Sequence, residues 1–192
     1  MIDWEEFPTL TSPRLRLRRI EDSDRTALFD VFSDPQVMRY WSSPPHNDLA
    51  QVDRLIGRIH EGFARRDLLQ WGVERIEDGQ ILGTCTLMGI DPGNRRAEIG
   101  YILGRAYWGC GYMNEALVAV VDFAFGPLRL HRLEADADSR NAASCRALER
   151  LGFQREGLLR ERWIVNDEIS DTAFYGLLER EWVASSGSRR IS

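Results

Sequence analysis

Ile99-Gly100-Tyr101-Ile102-Leu103-Gly104-Arg105-Ala106-Tyr107-Trp108-Gly109-Cys110-Gly111-Tyr112-Met113-Asn114-Glu115-Ala116-Leu117 is the stretch whose reading decides the fold. It has the pattern of a strand, a glycine-punctuated loop and the start of a helix. Glycines at 109 and 111 permit backbone conformations and close approaches that a Cβ would obstruct. The helix beyond them presents unpaired amide N–H groups and the positive end of its dipole. A loop of this kind holds a phosphate with backbone alone, and the ligand expected here is the pyrophosphate of a cofactor.

Before the stretch, the turn Asp91-Pro92-Gly93-Asn94 leads into a strand over 95–103. Strands over 69–75 and 81–90 are joined by the turn Glu77-Asp78-Gly79. Leu49, Val52, Leu55, Ile56, Ile59 and Phe63 fall at helical spacing and predict an amphipathic helix. Residues 37–45, with Tyr40, Trp41 and Pro44-Pro45, predict an ordered loop whose aromatics either wall a pocket or pack the two early helices. A first helix opens at Asp22-Ser23-Asp24 and stops at Asp34-Pro35, because proline disfavours helix in the residue before it. Leu15, Leu17 and Ile20, interleaved with Arg14, Arg16 and Arg18, predict a first strand with one polar face.

After the stretch, Ala116, Leu117, Val120, Val121 and Ala124 mark a buried helical face. Leu133, Ala135 and Ala137 alternate as a short strand. Residues 141–151 form a helix that Gly152 ends as a left-handed cap. Residues 153–182 hold two or three strands around Val165-Asn166-Asp167. Residues 1–184 read as one domain and 185–192 as a frayed, polar tail. The order βααββββαβαββ is mixed α/β with a largely antiparallel sheet.

Composition narrows the function classes. The 192 residues suit one domain, which buries roughly 70% of its unfolded surface. Thirty acidic against 25 basic residues give a net charge of −5, which argues against nucleic acid as a partner. Cys85, Cys110 and Cys145 form no CxxC pair, so neither a disulfide framework nor a zinc site is indicated. The three histidines lack the spacing of a metal site, and no metal is expected. The acidic start Met1-Ile2-Asp3-Trp4-Glu5-Glu6 is unlike a signal peptide, and no apolar stretch approaches the ~18 residues of a membrane span. The expected location is the cytoplasm, with no membrane partner.

Several side chains carry chemistry. Glu98, Gly100 and Ile102 share one strand face, and Gly100 leaves room beside the Glu98 carboxylate for a substrate or water. That carboxylate is a candidate base; otherwise it is a surface glutamate opposite an arginine. Asn141 is placed to cap its helix, and Ser144 then lies in the positively polarised first turn, where a leaving anion is stabilised. Glu134, Asp136 and Asp138 share a face that is either a negative wall for a cationic amine or a set of partners for Arg132 and Arg140. Glu161 and Trp163 are weaker acceptor-side candidates, with Tyr40 and Trp41.

One set of motifs runs in order along about nine-tenths of the chain. It comprises Arg14-Leu15-Arg16-Leu17-Arg18, Asp34-Pro35, Tyr40-Trp41, Gly83-Thr84, Ala97-Glu98-Ile99-Gly100-Tyr101, Tyr107-Trp108-Gly109-Cys110-Gly111-Tyr112 and Glu115-Ala116-Leu117. It continues through His131-Arg132-Leu133-Glu134-Ala135, Asn141-Ala142-Ala143-Ser144, Leu151-Gly152-Phe153 and Glu156-Gly157. The set resembles the GNAT acetyltransferases, and within them the ribosomal-protein N-terminal acetyltransferases (RimJ/RimL-like).

The resemblance implies a GNAT fold, a mixed and mostly antiparallel twisted sheet flanked by helices. It also implies a V-shaped splay between the strands around 96–103 and 132–137 that admits the pantetheine arm of acetyl-CoA. Acetyl transfer to a primary amine would follow, by direct attack through a tetrahedral intermediate, with a protein or peptide N-terminus as the first acceptor class. Polyamines, aminoglycosides or metabolites form the second class. A non-catalytic CoA-binding module is a rival, and a homodimer is compatible with the fold. A dinucleotide-binding Rossmann domain is disfavoured, because Gly109-Cys110-Gly111 lacks the third glycine and comes mid-chain.

By resemblance the cofactor residues are Ile102, Leu103, Trp108, Gly109, Cys110, Gly111, Tyr112, Met113, Asn114, Asn141 and Ser144. Glu98 is the base, direct or through water, Ser144 the acid, and the oxyanion takes a backbone N–H near Ile102-Leu103. The family loop Q/R-x-x-G-x-G/A has Trp108 here in place of its basic or amide residue. Met113 stands where the smallest residues usually sit, an exchange tolerated if its side chain turns away.

Overall fold

The computed structural model describes residues 4–183. Twelve elements follow in order: β1 (Leu10–Thr11), β2 (Leu15–Arg19), α1 (Arg25–Phe32), α2 (Leu49–Ala64), β3 (Leu68–Arg75), β4 (Ile81–Asp91), β5 (Arg96–Leu103), α3 (Tyr112–Phe125), β6 (Arg132–Asp138), α4 (Ala142–Leu151), β7 (Gln154–Val165) and β8 (Glu168–Leu178). The strands make one eight-stranded sheet in the order β1-β2-β3-β4-β5-β6-β8-β7, and every neighbouring pair is antiparallel except β5 with β6. The expected order placed one strand before the helices and four between α2 and α3. The structure has two before and three between, because two-residue β1 folds back onto β2. The tail expected over 185–192 lies outside the described residues.

Period-two alternation gives the sheet two apolar faces. One carries Leu15, Trp71, Leu87, Ile99, Leu133 and Tyr175 under α3 and α4; the other carries Ile20, Ile81 and Ile102 under α1 and α2. Helix α3 buries the expected face of Ala116, Leu117, Val120, Val121 and Ala124, with Phe123 and Phe125 added. Asp48 caps α2 in a reciprocal capping box with Gln51, a device worth about 1 kcal/mol. The polar face of β2 is not wholly solvated. Arg18 is largely buried between Asp24 (2.8 Å) and Glu74, which ties β2 to β3 and to the turn before α1.

Strand β5 stays paired with β4 along its length, from Met88↔Glu98 to Gly83↔Leu103. Against β6 it pairs only at Arg96↔Arg132, Ala97↔Leu133 and Glu98↔Glu134. Beyond that rung β6 continues on β8 as far as Asp138↔Thr172, so the sheet opens into a V whose apex is Glu98–Glu134. The opening is the splay expected between the two strands.

Candidate active site

Both carboxylates at the apex come from the same rung, and their surroundings differ. Glu134 is held by Arg96 at 2.9 Å and Arg132 at 2.8 Å. Glu98 is half-buried, and no hydrogen bond or ion pair to it is formed among the described residues. Burial pushes its carboxyl above the ordinary glutamate range; Asp136 and Glu134 push in the same direction, and the charge of Arg162 opposes them. A carboxylate whose proton affinity is raised toward neutrality is a better base at physiological pH. The space expected beside Gly100 is partly filled. A Cβ there would lie 2.9 Å from Met88 Cε, so the thioether of β4 covers that position.

The other strand face carries the second half of the site. Gly104 N–H donates to Leu82 O, and antiparallel alternation then turns the Ile102 backbone toward β4 and the Tyr101 and Leu103 backbones toward the open edge. Leu103 O on that edge accepts the Trp108 indole N–H at 2.7 Å. The Ile102 side chain belongs to the core under α1 and α2. Tyr101 reaches α4, where its hydroxyl lies 2.8 Å from Ser144 Oγ. Burial drives the Tyr101 phenol up to about 12, so it stays protonated and able to donate. Asn141 accepts the Ser144 N–H at 3.1 Å and caps α4. Tyr101 was not singled out in the sequence; strand alternation, which sets it opposite Glu98, is the signal that finds it.

The glycine loop joins β5 to α3. Gly109 and Gly111 have φ of 75° and 81°, the left-handed region that L side chains rarely adopt, and a Cβ at Gly109 would meet open space. Gly111 is the N-cap of α3 and no side chain caps the helix, so its first-turn N–H groups are available. Arg14 braces the loop from outside: it donates to Cys110 O at 3.1 Å, pairs with Glu115 at 2.7 Å and lies over the Tyr112 ring at 4.5 Å. Met113 turns inward, its sulfur 3.5 Å from Cys85 Sγ. Asn114 lines a groove of ≈ 780 Å³ along α3 with Ser12, Arg14, Gly111 and Arg150. An uncapped helix start and two left-handed glycines fit a pyrophosphate through backbone N–H groups, while the side-chain charges of the groove are mixed, Arg14 and Arg150 beside Glu115 and Asp122.

The remaining candidates divide between site and scaffold. Asp138 pairs with Arg140 at 2.6 Å, and the Asp136 carboxylate pairs, among the described residues, with Arg162 Nε alone, at 3.5 Å. Trp41 packs edge-on against Phe32 of α1, the packing role. Tyr40 lies beneath Arg39 and Arg140, which both bind Glu168 at the start of β8, on the rim that carries Asp138. Glu161 is exposed on an irregularity of β7 with φ of 53°. Among the described residues no three His, Cys, Asp or Glu converge as a metal site.

A split sheet with an uncapped helix start on one side and a carboxylate at its apex is the arrangement expected of an acetyl-CoA-dependent transferase. Residues 14–154 match the acetyltransferase (GNAT) domain family, and the chain belongs to that family. It is 37% identical to the Bacillus subtilis (strain 168) protein named "Putative ribosomal N-acetyltransferase YdaF", over 92% of this chain and 97% of that one. It is 26% identical to the Escherichia coli (strain K12) spermidine N(1)-acetyltransferase, over 88% of this chain and 89% of that one. The crystal structure of a GCN5-related N-acetyltransferase from Brucella melitensis superposes with a TM-score of 0.83 at 27% identity, covering 93% of this chain and 82% of that one. The protein is therefore an N-acetyltransferase of a family that uses acetyl-CoA.

Proposed function

We propose that this enzyme acetylates the N-terminal amine of a protein or peptide, with Glu98 as base and Ser144 as acid. The observation that carries the reading is the end of β5–β6 pairing at Glu98, which sets an unpaired carboxylate at the apex of the opening. Acetyl-CoA, when bound, supplies the activated acetyl thioester. The free N–H groups at the start of α3 would hold its pyrophosphate, and the Tyr101 backbone and the Leu103 N–H on the open edge would offer hydrogen bonds to the pantetheine arm and the developing oxyanion. Glu98, directly or through one water, takes the proton that the amine sheds as its C–N bond forms. Ser144 gives a proton to the sulfur as the C–S bond breaks, and the Tyr101 hydroxyl holds the resulting Ser144 oxyanion by a hydrogen bond across the 2.8 Å contact. Ser144 recovers a proton from solvent as Glu98 releases to solvent the one taken from the amine. Base and acid thus work from opposite faces of the sheet.

The base is a lone carboxylate, and that favours an N-terminal amine. An amine with a pKa near 8 is about one-tenth neutral at pH 7, whereas an alkyl amine near 10.4 is neutral only about once in several thousand. The relative named for ribosomal N-acetylation supports the same acceptor. A polyamine is the second reading, favoured by the loosely paired Asp136 beside Glu98 and by the spermidine acetyltransferase relative. A mass-shift screen with acetyl-CoA, comparing peptides of varied N-terminal residue with spermidine, separates the two. Acetylated peptide N-termini with spermidine unmodified support the first reading, and the reverse pattern overturns it.

A further inference from the structure

Strand β7 departs from its ladder on β8 between Leu159 and Trp163. The departure is fixed by a left-handed Glu161, whose N–H donates to Asp171 Oδ1 at 2.8 Å. Residues 160–162 of β7 stand opposite the single Asp171 of β8, two more than the ladder takes, and an insertion of this kind re-aims neighbouring side chains. Here the neighbour is Arg162, brought to 3.5 Å from Asp136 Oδ2 with its guanidinium near the Trp163 ring. The charged groups facing Glu98 are Asp136 and Glu134 from β6 and Arg162 from β7; from β4 it meets the uncharged Met88. Glu134 is paired with Arg96 and Arg132, which it shares with Asp91 and Glu156. Among the described residues, Arg162 is the one cation paired with Asp136 and opposing its charge at Glu98.

We propose that Arg162 is a positioning residue for Glu98: its guanidinium, delivered by the β7 bulge, balances Asp136, which lies two residues along β6 from the strand partner of Glu98, and so offsets the negative charge beside the base. Its place in catalysis rests on Glu98 being the base, but the charge balance itself is measurable without any acceptor. Removing the cation leaves two neighbouring carboxylates, and the second to ionise does so against the field of the first. Removing Asp136 relieves Glu98. The two changes therefore act in opposite directions, which a role confined to folding would not produce. Arg162 is about half-exposed, so its replacement leaves the core untouched.

The test is a carbon-detected NMR titration of the Glu98 side-chain carboxyl in the full chain, its signal assigned by its loss in Glu98→Gln. In Arg162→Gln the midpoint rises by roughly a few tenths to one pH unit, in Asp136→Asn it falls, and Arg162→Lys stays near the parent. A midpoint unmoved in Arg162→Gln, or moved the same way in Arg162→Gln and Asp136→Asn, overturns the proposal. Turnover separates this from the assignment of the base. Full activity in Glu98→Gln with the midpoints still shifting removes the base and leaves the charge balance standing. Lost activity in Glu98→Gln with a fixed midpoint in Arg162→Gln does the reverse.

Discussion

The two sides of the split sheet are built from different materials. On the proposed donor side the groups are backbone N–H donors and short-range contacts: the uncapped start of α3, the open edge of β5, and Asn141 holding the N–H of Ser144 three residues on. On the acceptor side they are side-chain charges from β5, β6 and β7, balanced against one another: Glu98, Asp136 and Arg162. A backbone-built site tolerates a change of side chain as long as dihedral angles survive. A charge-built site depends on every member, since removing one charge changes the field on the rest.

The contrast can be broken most severely at Gly111. Its φ of 81° is closed to a β-branched residue without strain, so Gly111→Val should raise the acetyl-CoA dissociation constant by roughly 100-fold. Calorimetric titration checks this, and the control is Met113→Leu. That side chain faces Cys85 in the core, and the affinity should stay within about twofold because the swap conserves volume. Equal losses in the two variants would mean that side chains, not backbone, hold the phosphate.

A smaller effect sharpens the same comparison. Tyr101→Phe removes the hydroxyl behind Ser144 without changing the strand, so kcat should fall roughly 3–10-fold, the scale of one lost hydrogen bond, with the acetyl-CoA dissociation constant kept. Single-turnover kinetics read this directly. A change in acetyl-CoA affinity with kcat intact would assign Tyr101 to binding.

The donor side was largely legible in the sequence because its signals are local. Glycines at 109 and 111, Asn141 three residues before Ser144, and Gly152 as a left-handed cap (φ 97°) are each defined within one turn of chain. The strand alternation of Glu98 was equally local. What the sequence did not show depends on partners far along the chain. Two-residue β1 is too short to carry a period. Arg160-Glu161-Arg162 reads as ordinary strand, and only the pairing with β8 and the Asp171 carboxylate creates the bulge. The space next to Gly100 is covered by Met88 from the neighbouring strand. Tyr101 and Ser144 meet only once α4 has packed on β6 and β7.

In the proposed mechanism one opening in the sheet brings Glu98, unpaired among the described residues, and Ser144 to bear on the same thioester from opposite faces. Steady-state thioester cleavage with an accepted amine, measured with acetyl-CoA affinity for Glu98→Gln and Ser144→Ala, tests it most directly. Each substitution should lower kcat by roughly 10–1,000-fold while the acetyl-CoA dissociation constant stays nearly unchanged. Unaltered turnover in either variant would remove that residue from the chemistry, and unaltered turnover in both would contradict the account.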